Sequence, residues 1–253
     1  MNSEQRRNGA TTTMAILDVL GSADAGEFPS GLSVSDVARQ LGREKSVVSR
    51  QLKNLLEAGL TARNDAGRYE LSWRLFALAS RAGDQRLTKM AAPVMARLTE
   101  IVRERTHLTV LSDGEVLTVR SESSGRSIEA IGWVGRTIPV NRSSSGMALL
   151  MDHEDERISE LLRRSNDSLT TRDEAHFLAQ VHAARKLKYT VANRLFDPEL
   201  LGIGAPIRDH SGRIMAALNI SGPASRMEAN IPALAGHLLA AIKALQLPGQ
   251  SSA

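Results

Sequence analysis

The sequence contains no cysteine among its 253 residues, which excludes disulfides, thiolate catalysis and cysteine-ligated zinc. Aromatic residues make up only 3%, so a core has to be built from leucine, isoleucine, valine, alanine and methionine. No apolar run approaches the roughly 18–20 residues that span a bilayer, and the first residues, MNSEQRRNG, carry no apolar signal segment. These absences favour a cytoplasmic protein with no membrane partner.

The excess of positive charge is small and local. The whole chain carries a formal net charge of +4. Residues 39–53 contain five basic side chains and one acidic side chain, so this segment alone matches the excess of the whole chain. A polyanion is therefore expected to contact the protein at one place rather than over its whole surface. The basic residues are Arg39, Arg43, Lys45, Arg50 and Lys53.

The chain is expected to begin with a polar, disordered tail over residues 1–10. A short helix is predicted over residues 11–21, because apolar side chains recur there at helical spacing. Ser35 is expected to cap a second helix. Gly42 is expected to end it, because glycine enters a left-handed turn without strain.

A third helix is predicted over residues 45–58, with one apolar face and one polar face, and Gly59 is expected to stop it. Two short strand-like runs follow, over residues 60–64 and 68–71, separated by a turn with the sequence Asp-Ala-Gly. This order predicts a helix-turn-helix followed by a hairpin wing, with a DNA-binding domain over residues 11–72.

The polar face of the third helix predicts contacts with base edges. In a helix-turn-helix the second helix of the motif lies in the major groove, with its N-terminal residues facing the bases. Arg and Lys pair with guanine acceptors, and Ser can donate or accept a hydrogen bond. Basic side chains nearby bind the phosphates. The alternative is an ordinary two-helix hairpin whose basic face is only solvated. The predicted DNA-binding residues are Arg43, Lys45, Ser46, Ser49, Arg50, Lys53, Arg63 and Arg68.

The rest of the chain predicts a linker helix over residues 73–86, a second domain over 87–247 and a tail over 248–253. In the second domain, strand-like runs occur between long helical stretches, which is typical of an α+β sensor domain. Helices are expected over residues 87–105, 145–151, 154–164, 171–187 and 231–245, and strands over 108–112, 116–121, 128–134, 189–192, 201–208 and 214–221.

Three segments carry a resemblance to a known family. The stretch LSVSDVARQLGREKSVVSRQLKNLLEAGLTARNDAGRYELSWRLFALA resembles the winged helix-turn-helix of IclR-type bacterial transcriptional regulators. The later segments HLTVLSDGEVLTV, GRTIPVNRSSSGMALL and GIGAPIRDHSGRIMAALNISGP continue the resemblance in the family's order and spacing. A winged helix alone is shared by many regulator families, so the later segments make the resemblance specific.

The resemblance implies an α+β fold in which a linker helix joins the winged helix-turn-helix to a profilin- or GAF-like domain that binds a small effector. It implies a homo-oligomer, formed as a dimer through the DNA-binding domains and often as a tetramer through the effector domains. It also implies an allosteric regulator of a double-stranded DNA operator, a repressor more often than an activator, and no enzyme.

The resemblance further implies which residues hold the effector. The family's loop of small residues matches NRSSSG at residues 141–146, where hydroxyls and backbone N–H groups could hold a carboxylate. For any single serine of this loop, a plain helix cap is the alternative. The implied effector-binding residues are Ser127, Ala130, Ser143, Ser144, Ser145, Gly146, Ala192, Gly202, Asn219 and Ser221.

This sequence departs from the family pattern at three of these places. Asn219 stands where serine is frequent, and Gly202 stands where many members have cysteine. Where the family tends to place acidic residues, the match falls on Ala192, Asn193 and Arg194. These departures favour an aromatic or amide-bearing effector over the small acids that are usual in the family.

An enzyme that acts on a small molecule and carries an N-terminal nucleic-acid module is the alternative function. The sequence has none of the common nucleophile, phosphate-loop or metalloprotease motifs, and its six histidines are scattered. No catalytic residue, metal site or cofactor is therefore expected. A winged helix that binds RNA is a third alternative, which the scarcity of aromatic residues for base stacking disfavours.

Overall fold

The computed structural model describes residues 3–23, 31–79, 85–123, 133–164 and 170–245. The chain divides into two compact units, with the described residues up to Gln85 in the first and those from Arg86 onward in the second. No helix within these described ranges is long and apolar enough to cross a membrane.

The first unit is a group of helices followed by a hairpin. Its buried core joins the helices to the hairpin, with Ile16, Val37, Leu52 and Tyr69 almost fully excluded from solvent. The elements are α1 (Ser3–Ala23), α2 (Val34–Leu41), α3 (Lys45–Glu57), β1 (Thr61–Arg63), β2 (Tyr69–Leu71) and α4 (Trp73–Ala79).

Helix α2 ends where the sequence predicts, but its N-cap is a different serine from the predicted one. Gly42 ends α2 with a left-handed φ of 60°, as predicted. The N-cap is Ser33 rather than Ser35, because Asp36 completes a capping box with Ser33. In that box Ser33 Oγ accepts from the Asp36 N–H, and the Asp36 carboxylate accepts from the Ser33 N–H.

The expected disordered tail is wrong from Ser3 onward, since α1 already begins there and runs to Ala23. Residues 4–7 read Glu-Gln-Arg-Arg, all good helix formers, and no proline interrupts them. The predicted linker helix corresponds to α4, which ends at Ala79, while residues 80–84 lie outside the described ranges.

The predicted hairpin is confirmed. β1 and β2 are antiparallel, with Thr61 opposite Leu71. Gly67 takes a φ of 71° in the turn, which L side chains rarely adopt. Leu32 forms a further bridge to Tyr69, with backbone hydrogen bonds of 2.9 and 2.8 Å. The hairpin is thereby fastened to the segment before α2.

The second unit contains a mainly antiparallel sheet between two layers of helices. Its helices are α5 (Gln85–Val102), α6 (Ser144–Leu149), α7 (Asp155–Arg164), α8 (Thr171–Leu187), α9 (Ala224–Met227) and α10 (Ile231–Leu245). Its strands are β3 (Arg105–Ser112), β4 (Glu115–Glu122), β5 (Thr137–Pro139), β6 (Thr190–Asn193), β7 (Leu200–Arg208) and β8 (Ile214–Pro223).

Among the described residues the sheet has the strand order β5-β4-β3-β8-β7-β6, and every pair is antiparallel. Alternate side chains of β7 point to opposite faces. Leu201 and Ile203 join α5 and α10 in one core. Gly202 and Gly204 face α6 on the other side. A second core joins α6, α7 and α8 to that face.

The expected elements of this unit are largely found. α8 spans Thr171–Leu187 as predicted, and Thr170 caps it in a capping box with Asp173. Ile101 of α5 is 50% exposed. The buried stripe of α5 runs through Ala91, Met95 and Leu98, and Ile101 lies off that face. The strand expected over residues 128–134 lies outside the described ranges except for its last two residues.

The backbone of α6 approaches its neighbours so closely that only glycine fits at three contacts. A Cβ on Gly146 would lie 2.0 Å from the carbonyl oxygen of Val140. A Cβ on Gly204 would lie 2.8 Å from the Ser144 carbonyl carbon, and one on Gly202 would lie 2.8 Å from Ser144 Oγ. These contacts fix the serine segment directly against β7.

Gly146→Ala should therefore lower the free energy of unfolding of the second unit by about 1–3 kcal/mol, because backbone atoms have to move apart. Gly236 is the matched control, since a Cβ there meets nothing within 4 Å and the residue lies inside α10. Gly236→Ala should raise stability by about 0.5–1 kcal/mol. Urea unfolding followed by circular dichroism measures both, and equal effects of the two substitutions would contradict the packing argument.

Candidate functional site

The polar face of α3 is exposed, and the opposite face holds the helix on its unit. Val48, Leu52 and Leu55 are buried in the first core. The polar residues on the other side of the helix all face solvent. They are Lys45, Ser46, Ser49, Arg50 and Lys53.

Three basic side chains near the start of α3 are available to an anion. Among the described residues, Arg43, Lys45 and Arg50 form no ion pair, whereas Arg39 is paired with Asp36 at 2.8 Å. Lys53 lies 3.9 Å from Glu57, and both are exposed, so this pair is weak. The positive charge that the sequence concentrates here is therefore displayed on one surface.

Both arginines of the hairpin are held by their own unit. Arg63 donates to the Tyr69 hydroxyl at 2.6 Å, and its guanidinium lies 4.6 Å from the centre of the Tyr69 ring. Arg68 is half-buried and donates to the Gly31 carbonyl at 3.4 Å. The other N–H groups of each guanidinium can donate to phosphate oxygens. The two arginines also stabilise the hairpin through the contacts just described.

The second unit contains a cavity of about 70 Å³ between its sheet and α6. Side chains of β3, β4, β7 and β8 form its floor, and residues 142–145 form one wall. Trp133 and Phe196 form an aromatic wall, with ring centres 6.0 Å apart and an edge-to-face angle of 66°. Arg142 is the only charged residue among the described residues that line the cavity.

The serine segment is positioned by hydrogen bonds as well as by glycine contacts. Ser143 caps α6, since its Oγ accepts from the Gly146 N–H at 2.9 Å. The Thr190 hydroxyl donates to the Ser144 carbonyl at 2.7 Å, and it lies 3.1 Å from the Gly204 carbonyl. The hydroxyl of Ser143 therefore serves the cap, while those of Ser144 and Ser145 remain for another partner.

Four buried polar atoms that line the cavity lack a hydrogen-bond partner in the described structure: His107 Nδ1, Ser144 Oγ, Ser145 Oγ and Asn219 Oδ1. Leaving such a group unpaired costs about 1–3 kcal/mol, and native proteins rarely tolerate several together. A concave apolar space with a few convergent polar groups is the usual form of a small-molecule site. The cavity therefore offers several polar groups with which a polar ligand can form hydrogen bonds.

His107 also lines this cavity, although sequence reasoning did not single it out. Its side chain is 6% exposed, and burial lowers its pKa from 6.5 to about 3, with the charge of Arg105 acting in the same direction. Its ring meets Trp133 edge to face at 5.7 Å. The ring is thus neutral at physiological pH and acts through hydrogen bonds.

The structure brings most of the proposed effector residues to the cavity. Gly146 is buried but serves the packing of α6, and Ser127 and Ala130 lie outside the described ranges. Sequence reasoning missed the aromatic wall, His107 and Arg142. The proposed residues that line the cavity are Ser143, Ser144, Ser145, Ala192, Gly202, Asn219 and Ser221.

The departure at residues 193–194 acts away from the cavity. Asn193 donates to Glu228 at 2.7 Å, and Arg194 forms an ion pair with the same carboxylate. Hydrogen bonds from Arg194 and then Asn193 lower the pKa of Glu228 to about 2. Only Ala192 of this segment lines the cavity, so the replaced acidic residues change its charge less than the sequence suggests.

Two family models match the chain. The IclR helix-turn-helix domain matches residues 10–65. The C-terminal domain of bacterial IclR transcriptional regulators matches residues 80–247. Together they include both the exposed face of α3 and the cavity of the second unit.

Curated relatives and solved structures agree with this match. The transcriptional regulator BhcR of Paracoccus denitrificans is 27% identical over 239 residues, covering 90% of this chain and 84% of its own. The repressor AllR of Escherichia coli K12 is 25% identical over 201 residues, covering 77% and 74%. An IclR homologue from Microbacterium hydrocarbonoxydans, solved with 4-hydroxybenzoate, is 26% identical with a TM-score of 0.71, covering 92% and 97%.

The neutral state of His107 predicts a pH dependence of stability. In the unfolded chain a histidine has a pKa near 6.5, so between pH 6.5 and 3 the unfolded state binds one more proton than the folded state. This contribution is present in full above pH 6.5 and is lost as the pH falls. The free energy of unfolding should drop by about 2 kcal/mol from pH 7 to pH 5 through His107 alone.

His107→Phe should remove that part of the pH slope while keeping the ring contact with Trp133. His176 is exposed on α8, so His176→Gln should keep the wild-type slope. Urea unfolding at pH 7, 6 and 5 measures the slope of each protein. A His107→Phe slope equal to that of the wild type would show that His107 takes up its proton over the same pH range in the folded protein as in the unfolded chain.

Proposed function

This chain belongs to the IclR family of bacterial transcriptional regulators, and we propose that it is a repressor that a small effector releases from its operator. The family combines a helix-turn-helix with an effector-binding C-terminal domain. The observation that carries the proposal is the group of unpartnered polar atoms in the cavity, because they call for a ligand there. The relative AllR is named a repressor, which supports the sign of regulation.

In this proposal α3 reads the major groove of a double-stranded operator. Lys45, Ser46, Ser49 and Arg50 face base edges, since they lie on the exposed face from its first turn onward. Arg50 pairs with guanine acceptors, the commonest specific contact of arginine with DNA. Arg43, Lys53, Arg63 and Arg68 contact phosphates and fix the register of the protein on the duplex.

The proposed effector is a small aromatic acid. Trp133 and Phe196 offer ring faces and edges to a planar ligand, and Arg142 supplies a positive charge for a carboxylate. The ligand of the Microbacterium homologue, 4-hydroxybenzoate, has both features. A volume of about 70 Å³ is below the roughly 150 Å³ that accepts benzene, so the aromatic wall has to shift outward to admit a ring, and Phe196, which is 43% exposed, is the side chain with room to shift while it keeps contact with the ligand.

The control of DNA binding follows from linkage. The protein acts as a homo-oligomer, a dimer or tetramer. Within each dimer, the two copies of α3 bind half-sites about 34 Å apart. An effector that binds one arrangement of the oligomer better shifts the population toward that arrangement by its differential affinity. Because half-site spacing is fixed by the DNA, an arrangement that misplaces one α3 loses the operator.

The second candidate is an enzyme with a nucleic-acid module. The relatives of this chain disfavour that function, because they are transcriptional regulators. Among the described residues, no group of three or more histidine, aspartate or glutamate side chains could hold a metal ion. Incubating the effector with the protein and recovering it unchanged by mass spectrometry separates a regulator from an enzyme.

Arg50→Ala should weaken specific operator binding by about 1–3 kcal/mol, because a base contact is lost. The operator is first selected from genomic fragments, and affinity is then measured by fluorescence anisotropy at two salt concentrations. Arg213→Ala is the control, since Arg213 is an exposed basic residue in the turn between β7 and β8 of the second unit. Wild-type affinity of Arg50→Ala at moderate salt would refute the groove assignment.

An aromatic carboxylate such as 4-hydroxybenzoate should bind the full-length protein more tightly than glyoxylate or pyruvate. Only the aromatic ligand has a ring that can pack against Trp133 and Phe196. Calorimetry gives the affinities, and anisotropy shows whether the same ligand releases the operator. Phe196→Ala should weaken aromatic binding severalfold, because one side of the aromatic wall is lost, and leave the small acids unaffected. Tight binding of the small acids alone would overturn the proposed effector class while leaving the regulator itself intact.

A further inference from the structure

The residues that carry the four unpartnered atoms meet in one row across the sheet. Ser144 Oγ lies against Gly202 of β7, and the backbone of Ser144 and Ser145 lies against Gly204. Gly204 is opposite Asn219 of β8, and Asn219 is opposite His107 of β3. Directly opposed residues of antiparallel strands point to the same face. His107 and Asn219 are therefore neighbours on the cavity floor, with the two serines over the adjoining strand.

This row requires a ligand group that both donates and accepts. The Asn219 carboxamide offers an oxygen that only accepts and an NH₂ that only donates, and a neutral imidazole offers one donor and one acceptor. A carboxylate accepts only, so it would leave Asn219 Oδ1 unpaired. A hydroxyl group can donate to one of the two side chains and accept from the other in either orientation of the amide.

The charges of the cavity also separate two subsites. Since burial keeps the pKa of His107 at about 3, the row holds no positive charge at neutral pH. Arg142 is the only cation among the described residues that line the cavity, and it is exposed at the border. A carboxylate is thus favoured beside Arg142, and an uncharged polar group is favoured at the row.

We propose that His107 and Asn219 form a hydroxyl-reading subsite, so that the effector is a hydroxylated aromatic acid and these two residues select it over the unsubstituted acid. The inference rests on the proposed function of the cavity as an aromatic-acid site and adds the position and chemistry of its selectivity. Asn219 supplies what serine cannot, a carboxamide long enough to lie beside the opposed imidazole.

The test compares ligands that differ by one hydroxyl. Calorimetry with full-length protein uses benzoate, 3- and 4-hydroxybenzoate, and the corresponding methoxybenzoates as probes. At least one hydroxybenzoate should bind about 10-fold or more tightly than benzoate, because a lost hydrogen bond to buried polar groups is costly. Its methoxy counterpart, which cannot donate, should lose that advantage.

Two variants place the selectivity on named residues. His107→Phe keeps the ring against Trp133 and removes both nitrogens, and Asn219→Leu removes the amide at similar size. Each should bring the ratio of benzoate to hydroxybenzoate dissociation constants to within about threefold of one. His153→Phe is the matched control, because His153 Nδ1 is also buried and unpartnered in the described structure but does not line the cavity. Its ratio should remain that of the wild type.

The outcomes distinguish this inference from the proposed function. Equal affinity for benzoate and both hydroxybenzoates, no binding of any ring, or selectivity retained in both variants would overturn the hydroxyl-reading subsite. If His107→Phe does not fold, Asn219→Leu decides the question. Release of the operator by benzoate at the same concentrations as by both hydroxybenzoates would overturn the subsite but keep the regulator. A protein that binds no specific DNA fragment would overturn the proposed function.

Discussion

The close approach of the α6 backbone to β7 is the constraint on which the second unit depends. Gly202 and Gly204 leave no side chain between the strand and Ser144, and Gly146 lets the helix meet the carbonyl of Val140. Thr190 locks the same contact by a hydrogen bond to Ser144. The backbone of the serine segment is therefore held over the sheet at a fixed height, beside the cavity.

The first unit exposes the polar face of α3 while the rest of the helix is packed against the unit. Its buried core packs against α3 from one side, and the polar residues on the other side are exposed. The capping box at Ser33 fixes where α2 starts, and the left-handed turn at Gly42 fixes where it stops. A rigid helix presented in this way can discriminate bases, since a misplaced side chain loses bidentate geometry.

Local rules predicted those elements whose ends are set by neighbouring residues. α8 was found with its predicted bounds because Thr170 and Asp173 cap each other, and Gly42 ended α2 as expected. His107 and the aromatic wall were missed, because their meeting depends on strand register and on loops far apart in the chain. Gly146 was assigned to the ligand, although its contact with Val140 is a packing requirement that no local pattern reveals.

The unpartnered atoms of the cavity give the proposed switch its source of free energy. A ligand that gives each of these groups a hydrogen bond gains about 0.5–1.5 kcal/mol from it, net of the bond to water that it replaces. A tenfold change in operator affinity needs only about 1.4 kcal/mol of differential binding between two arrangements. An arrangement in which the ligand reaches the side chains of both His107 and Asn219 gains these bonds, and an arrangement that keeps the ligand from them gains few of them. One or two hydrogen bonds at His107 and Asn219 therefore suffice to couple the chemistry of the effector to the placement of α3.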